Sequence, residues 1–256
     1  MSETIVEARN ILTQFGDIII HENLNFTVDR GEIIGLVGGS GTGKSVLLNT
    51  ILGLKKPEGG DILIRGQNRS DMNTEDRNKL NNHLGVLFQG GALFSSLTVR
   101  ENIMVPMREH ADLPLSLMHE LADMKINMVG LPATAGKLKP SDLSGGMRKR
   151  AGLARSLALD PAILFLDEPT AGLDPVGASA FDELILNLHD AMGLTVIMIT
   201  HDLDSLFRIC DRVAVLVDKK IGINDRLEKV LEYDHPWVKE YFGGPRSRAA
   251  LSAGGT

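Results

Sequence analysis

The chain has 256 residues, of which 43% are hydrophobic, enough for a sizeable core within one elaborated α/β domain. Its formal charge of -6, from 27 Lys and Arg against 33 Asp and Glu residues, argues against non-specific nucleic-acid binding, which needs a dense basic face. The single cysteine excludes an internal disulfide. The polar N-terminus lacks the apolar segment of a secretion signal, and no apolar run approaches the ~18 residues of a membrane span. We therefore expect a cytoplasmic protein that is not itself a membrane channel.

The first part of the chain contains short apolar segments that partly alternate with polar residues, at 18–20, 24–28 and 61–64. Alternation of this kind is typical of antiparallel strands with one covered face. The segments therefore predict a small antiparallel β layer near the N-terminus.

Three other apolar runs do not alternate, at 33–37, 162–166 and 195–200. Turn or polar residues bound each run, as expected for strands of a parallel sheet covered on both faces. Helical stretches follow at 44–54 and 176–192, and a succession of strand, loop and helix indicates an α/β fold. Between them, apolar residues at 115–129 recur near helical spacing, so we predict a helical insertion in which the methionines pack in the core.

A glycine-rich motif follows the first of these runs and precedes a predicted helix. Its backbone N–H groups and the positive end of the helix form a cradle for phosphate. In the pattern G-x-x-x-x-G-K-[ST], Lys44 is expected to contact the outer phosphates of a nucleotide as a point charge and the Ser45 hydroxyl to bind Mg²⁺. The predicted cradle consists of Gly38, Gly39, Ser40, Gly41, Thr42, Gly43, Lys44 and Ser45.

Two adjacent acidic residues, Asp167 and Glu168, end the apolar run at 162–166. A carboxylate at the end of a buried strand beside a triphosphate can hold the magnesium shell, and we expect Asp167 to do so. Glu168 is expected to polarise the water that attacks the γ-phosphate.

The segment around Ser144, Gly145 and Gly146 lies about twenty residues before Asp167 and resembles the signature of ABC ATPases. The resemblance implies a P-loop NTPase (RecA-like) parallel-sheet core with an N-terminal antiparallel β layer and an inserted ABC α-helical subdomain. It also implies a homodimer that sandwiches ATP, in which the signature helix of one copy faces the γ-phosphate held by the other. The implied division is a nucleotide-binding core at 1–89 and 161–242, a helical subdomain at 90–160 and a tail at 243–256.

Further positions resemble landmarks of that family in the expected order. Gln89 resembles the glutamine that senses magnesium and the attacking water, and His201 resembles the switch histidine that contacts the γ-phosphate. Phe15 resembles the aromatic residue that stacks on adenine. Met147 departs from the family's usual glutamine but leaves the phosphate-facing serine and glycines in place.

Segments at 87–94, 101–103 and 106–110 resemble the lipid-transporting branch of the family, the Mla-type phospholipid systems of double-membraned bacteria. That resemblance implies a peripheral ATPase on the cytoplasmic face of the inner membrane, driving phospholipid transport that maintains outer-membrane lipid asymmetry. The implied partners are a membrane permease, a STAS-domain subunit and an MCE-domain subunit, with no nucleic acid. Three apolar residues either line a groove in which the permease docks or pack in the core of the predicted helical insertion. They are Leu93, Phe94 and Leu97.

Other readings remain open. The chain could serve an ABC transporter for amino acids, metals or lipoproteins. An ABC ATPase that acts on ribosomes or DNA is disfavoured, because the chain has one signature, no heptad run and a negative charge. A non-catalytic subunit is disfavoured because Lys44, Glu168 and His201 are all present.

Overall fold

The computed structural model describes residues 3–244. Its strands are β1 (Thr4–Phe15), β2 (Ile18–Asp29), β3 (Ile33–Gly38), β4 (Gly59–Ile64), β5 (Gln67–Asn68), β6 (Leu84–Leu87), β7 (Ile163–Asp167), β8 (Thr195–Ile199), β9 (Arg212–Val217) and β10 (Lys220–Asp225). Its helices are α1 (Lys44–Ile51), α2 (Thr74–Asn81), α3 (Val99–His110), α4 (Leu115–Met128), α5 (Gly145–Ser156), α6 (Pro175–Met192), α7 (Leu203–Ile209), α8 (Leu227–Leu231) and α9 (Pro236–Gly243). Within residues 3–244, no helix is both long and apolar enough to cross a bilayer.

The chain divides into two compact units. The first takes its described residues from Met1–Asn78 and Thr195–Thr256, and the second is Lys79–Leu194. The tail predicted at 243–256 lies, apart from its first two residues, outside the part of the chain that the structure describes.

An antiparallel sheet with the strand order β2-β1-β4-β5 forms one layer of the first unit. This confirms the predicted β layer, although the segments at 18–20 and 24–28 belong to one continuous strand, β2. Strand β1 was not predicted. Buried Val6, Ala8 and Ile11 are interleaved with exposed polar residues and interrupted by register shifts, so the strand lacks an unbroken apolar run.

The remaining strands of the first unit follow the order β10-β9-β3-β8, with β3 parallel to both β8 and β9. Every residue of β3 and β8 is buried, as the unalternated runs predicted. A Cβ on Gly35 would collide with the side chain of Leu206, so the glycine allows α7 to pack directly on β3. Helix α7 therefore packs closely on the strand that leads into the glycine-rich motif.

In the second unit, β6 and β7 pair in parallel, and helices α3, α4 and α5 pack on one another. Helix α3 begins with a capping box formed by Thr98 and Glu101. Helix α4 buries Met118, whereas Met124 is 44% exposed, so the core packing predicted for the methionines is wrong at Met124. Helix α4 has more apolar residues than its buried face can hold, so their spacing alone does not tell which of them face the core.

Candidate nucleotide site

The glycine-rich motif forms a tight loop between the end of β3 and the start of α1. Gly41 and Gly43 adopt φ of 77° and 102°, in the left-handed region that glycine tolerates. A Cβ on Gly43 would lie 2.5 Å from Ile20 Cγ2 and 2.6 Å from His21 Nε2. The loop therefore requires glycine at this position for both its backbone angle and its space.

Helix α1 begins without a side-chain cap, and its first turn contains no acidic residue. Its N-terminal N–H groups and positive dipole end are thus suited to an anionic ligand. Lys44 is buried against the loop, where its Nζ donates to the carbonyl oxygens of Gly38 at 2.8 Å and Gly39 at 2.9 Å. Thr42 Oγ1 also donates to Gly39 O, at 2.9 Å. The loop therefore holds its own lysine beside the place where a phosphate group would bind.

A fully buried histidine, His21 on β2, lies directly against Gly43. Its Nδ1 is 2.7 Å from the hydroxyl oxygen of Thr13 on β1. Burial lowers the pKa of His21 to about 4, and the charge of Lys55 acts in the same direction. The ring is therefore neutral at physiological pH, and it packs against the loop as a polar but uncharged group.

The first unit also positions two other predicted site residues. Phe15 ends β1 with 56% of its surface exposed, and Lys55 Nζ lies 4.8 Å from the centre of its ring. His201 is exposed just after β8, and the Tyr241 hydroxyl donates to its carbonyl oxygen at 3.2 Å. Phe15 is thus open to a flat ligand, and His201 is held through its backbone.

In the second unit, Asp167 is the last residue of β7, and Glu168 follows it with a φ of 50°. Left-handed backbone at a residue other than glycine is strained, and such strain concentrates at functional sites. Lys149 on α5 donates from Nζ to the carbonyl oxygen of Glu168 at 2.9 Å. Burial lowers the pKa of Lys149, and the charge of Glu168 partly offsets that effect. Gln89 is exposed in the turn after β6.

The signature segment forms the start of α5. Ser144 is the N-cap, and its hydroxyl accepts a hydrogen bond from the Met147 N–H at 3.3 Å. A Cβ on Gly145 would meet no atom within 4 Å, and one on Gly146 would touch only Leu173 at 3.8 Å. Packing among residues 3–244 therefore does not require either glycine, and both leave an open surface over a helix N-terminus.

Some residues of these sites were not singled out from the sequence. His21 and Lys149 are ordinary polar positions in their elements, and nothing in their spacing marks them. The positions of Tyr241 beside His201 and of Trp237 beside Gly39 appear only in the folded chain.

The family model described as ABC transporter matches residues 21–171, which is more than half of the chain. The chain belongs to the ABC transporter family. As a member of this family it is an ATP-binding ATPase, and the sequence-based prediction of that activity is confirmed.

Relatives of the ABC chain support the assignment over nearly its whole length. It is 37% identical to the intermembrane phospholipid transport system ATP-binding protein MlaF of Haemophilus influenzae, over 95% of this chain and 92% of that protein. The protein of the same name in Escherichia coli is 38% identical, over 94% of this chain and 89% of the relative. A probable ribonucleotide transport ATP-binding protein, mkl, of Mycobacterium bovis is 36% identical over 94% of this chain and 67% of its own length.

Solved ABC structures confirm the predicted fold class. The ATP-binding cassette MJ0796, solved as a dimer in a post-hydrolysis state with ADP and Pi, matches with a TM-score of 0.80 and 29% identity, covering 87% of this chain and 99% of that one. CbiO1 from Clostridium perfringens, part of the ABC transporter complex cbiONQ, matches with a TM-score of 0.81 and 27% identity over 98% of this chain and 99% of that one.

Proposed function

We propose that this ABC ATPase drives phospholipid transport between the inner and outer membranes and so maintains outer-membrane lipid asymmetry. The observation that supports phospholipid as the cargo is the similarity of this chain to the two phospholipid-transport relatives, at 37% and 38% identity over 92% and 89% of their lengths. The mycobacterial relative, named for ribonucleotides, keeps a second cargo class open. Transport of amino acids, metals or lipoproteins remains the broader alternative within the family.

The nucleotide chemistry is assigned residue by residue from the family resemblance. The cradle from Gly38 to Ser45 binds the phosphates of ATP, with Lys44 as the neighbouring positive charge. The exposed ring of Phe15 stacks on adenine. His201 contacts the γ-phosphate, and the Glu168 carboxylate accepts a proton from the attacking water.

Magnesium is part of this proposal. Ser45, Gln89 and Asp167 offer a hydroxyl, an amide oxygen and a carboxylate, the oxygen donors that Mg²⁺ prefers. The half-buried position of Asp167 at the end of β7 suits a carboxylate that holds a cation through its shell. The ion supplies positive charge to the β- and γ-phosphates, while the chain orients the water and the phosphates.

The proposed working form is a homodimer with two ATP molecules at its interface. The MJ0796 cassette was solved as a dimer, which supports this stoichiometry. In each site, Ser144, Gly145 and Gly146 of one copy face the γ-phosphate bound by the other. The exposed start of α5 and the open space over Gly145 are compatible with a ligand held by another molecule. Closure of the dimer moves the permease, and hydrolysis with phosphate release resets it.

The permease is proposed to dock beside Phe94, which is 52% exposed. The fully buried Asn102 holds the backbone of the loop that carries Phe94 by two hydrogen bonds. Its Oδ1 accepts from Phe94 N at 2.7 Å, and its Nδ2 donates to Phe94 O at 3.1 Å. A rigid loop that presents a large apolar side chain suits a stable partner contact. The proposal also locates the complex on the cytoplasmic face of the inner membrane. It includes STAS-domain and MCE-domain subunits as further partners.

The test is purification of the tagged chain from its own membranes in mild detergent, followed by mass spectrometry of proteins and lipids. A permease with STAS-domain and MCE-domain companions and bound phospholipid is expected. A permease with a soluble solute-binding protein instead would leave the ATPase in place and overturn the lipid assignment. The Phe94→Ala variant should lower recovery of the permease, whereas Leu115→Ala, another exposed apolar position in the same unit, serves as the matched control.

A further inference from the structure

The C-terminal helix α9 is anchored firmly in the first unit. Val238 and Phe242 are buried in a cluster with Val37 of β3 and Val215 of β9. His235, the N-cap of α9, accepts from the Trp237 N–H through Nδ1 at 3.2 Å, and its Nε2 lies 3.2 Å from an Asp218 carboxylate oxygen. The helix is thus fixed both at its start and along its apolar face.

This anchoring places Trp237 against the glycine-rich loop. A Cβ on Gly39 would lie 3.4 Å from Trp237 Nε1 and 3.9 Å from Cδ1, so the indole lies on the side of this glycine toward which a side chain would point. The carbonyl oxygen of Gly39 accepts hydrogen bonds from Lys44 and Thr42. Because Lys44 is bonded to Gly39 and the indole lies beside this residue, we expect a reorientation of Lys44 toward a bound phosphate to change the surroundings of Trp237.

The same helix contacts the loop after β8. The Tyr241 hydroxyl donates to the His201 carbonyl oxygen at 3.2 Å. The rings of Trp237 and Tyr241 are stacked, with centroids 4.6 Å apart and an interplanar angle of 15°. Tyr241 also meets Phe242 edge-on at 4.9 Å, which ties the stacked pair to the buried face of the helix. The stacked pair of rings thus lies beside two loops that are far apart in the sequence.

We propose that Trp237 and Tyr241 are positioning residues that couple α9 to the nucleotide site, Trp237 through Gly39 and Tyr241 through the backbone of His201. The inference rests on the assignment of the nucleotide site proposed above and adds a route by which nucleotide binding changes the environment of the C-terminal helix. Trp237 sets the loop for ATP binding. Tyr241 sets His201 for the chemical step.

Trp237 is the only tryptophan of the chain, so its fluorescence reports this contact without labelling. Titration with MgATP, excited at wavelengths where adenine does not absorb, should give a saturable change in emission. The midpoint should match the dissociation constant from equilibrium dialysis with labelled ATP, and Lys44→Ala should abolish both signals. If dialysis shows binding while the emission stays constant, the coupling is refuted and the assignment of the nucleotide site stands. If the chain binds no ATP, both proposals fall.

Enzyme kinetics distinguish positioning from simple stabilisation. Tyr241→Phe keeps the stack but removes the donor to His201, and it should lower kcat about 3- to 10-fold with KM unchanged, the effect of losing one hydrogen bond. Trp237→Ala should raise KM for ATP about 3- to 10-fold, while Trp237→Phe retains the stacking and should stay within about twofold of the parent chain.

Val238→Ala is the control, because it removes apolar packing from the buried face of α9 and leaves both rings in place. It should lower Tm and leave kcat and KM unchanged. If Val238→Ala changes the kinetics as much as the ring variants do, or if the ring variants lower only Tm, the role of the pair is structural and the proposal is wrong.

Discussion

Acid should destabilise this protein through His21, the buried histidine beneath the glycine-rich loop. Burial holds its pKa at about 4 in the folded chain, against an ordinary value of 6.5. Between these two values the unfolded chain takes up a proton that the folded chain does not. The contribution of His21 to stability is therefore complete above about pH 6.5 and is lost as the pH falls toward about 4.

The size of the effect follows from the two pKa values. A difference of about 2.5 in pKa corresponds to about 3 kcal/mol of unfolding free energy when the transition is complete. Between about pH 8 and about pH 5, the expected loss from this one group is about 2 kcal/mol. That is a large part of the stability of an ordinary domain.

Urea unfolding at a series of pH values measures this loss. The His21→Gln variant keeps a polar partner for the Thr13 hydroxyl but has no titrating ring. Its unfolding free energy should therefore fall by about 2 kcal/mol less than that of the parent chain over the same pH range. His119→Gln, at an exposed position of α4, controls for the removal of one histidine. If the parent chain and His21→Gln lose stability in parallel between about pH 8 and about pH 5, the reasoning about buried neutral His21 is refuted.

Three further outcomes test the site. Glu168→Gln should trap a closed, ATP-bound dimer and lower hydrolysis by about two to four orders of magnitude, measured by phosphate release and gel filtration with ATP; normal turnover would remove Glu168 from its assigned role. Lys44→Ala should lose ATP binding in equilibrium dialysis, and undiminished affinity would overturn the assignment of the loop. Gly43→Ala combines a φ of 102° with contacts of 2.5 and 2.6 Å to the new Cβ, so it should destabilise the chain by about 2–4 kcal/mol. Gly16→Ala, with a φ of 57° and open space, should cost only about 1 kcal/mol, and equal losses in the two variants would contradict the packing argument.

Local features were predictable because each depends on neighbouring residues. The runs at 33–37 and 195–200 became buried parallel strands, since continuous apolar sequence has no solvent face. The helix predicted at 176–192 is α6, capped by Asp174 at its start and by left-handed Gly193 at its end. The helix predicted at 44–54 ends earlier, at Ile51, before Gly53 with its φ of 75°.

Sequence patterns were less informative where a residue's environment comes from other elements. Strand β1 was missed because its buried residues are separated by charged ones such as Glu7 and Arg9. Met124 belongs to the apolar residues that recur near helical spacing in α4, yet it is exposed because the buried residues Met118, Ala122 and Ile126 lie on the other side of the helix. The pKa of His21 depends on desolvation, which only a folded environment provides.

By itself the sequence determined the glycine-rich loop, the acidic strand end, the signature helix start and hence the family, because each is a contiguous motif whose chemistry lies in its own residues. The tertiary structure decided what supports these motifs: His21 against Gly43, Lys149 on the Glu168 carbonyl, and the rings of α9 on Gly39 and His201. Trp237 and Gly39 are almost two hundred residues apart. Contacts over such separations arise from the packing of strands and helices, and no local pattern encodes them.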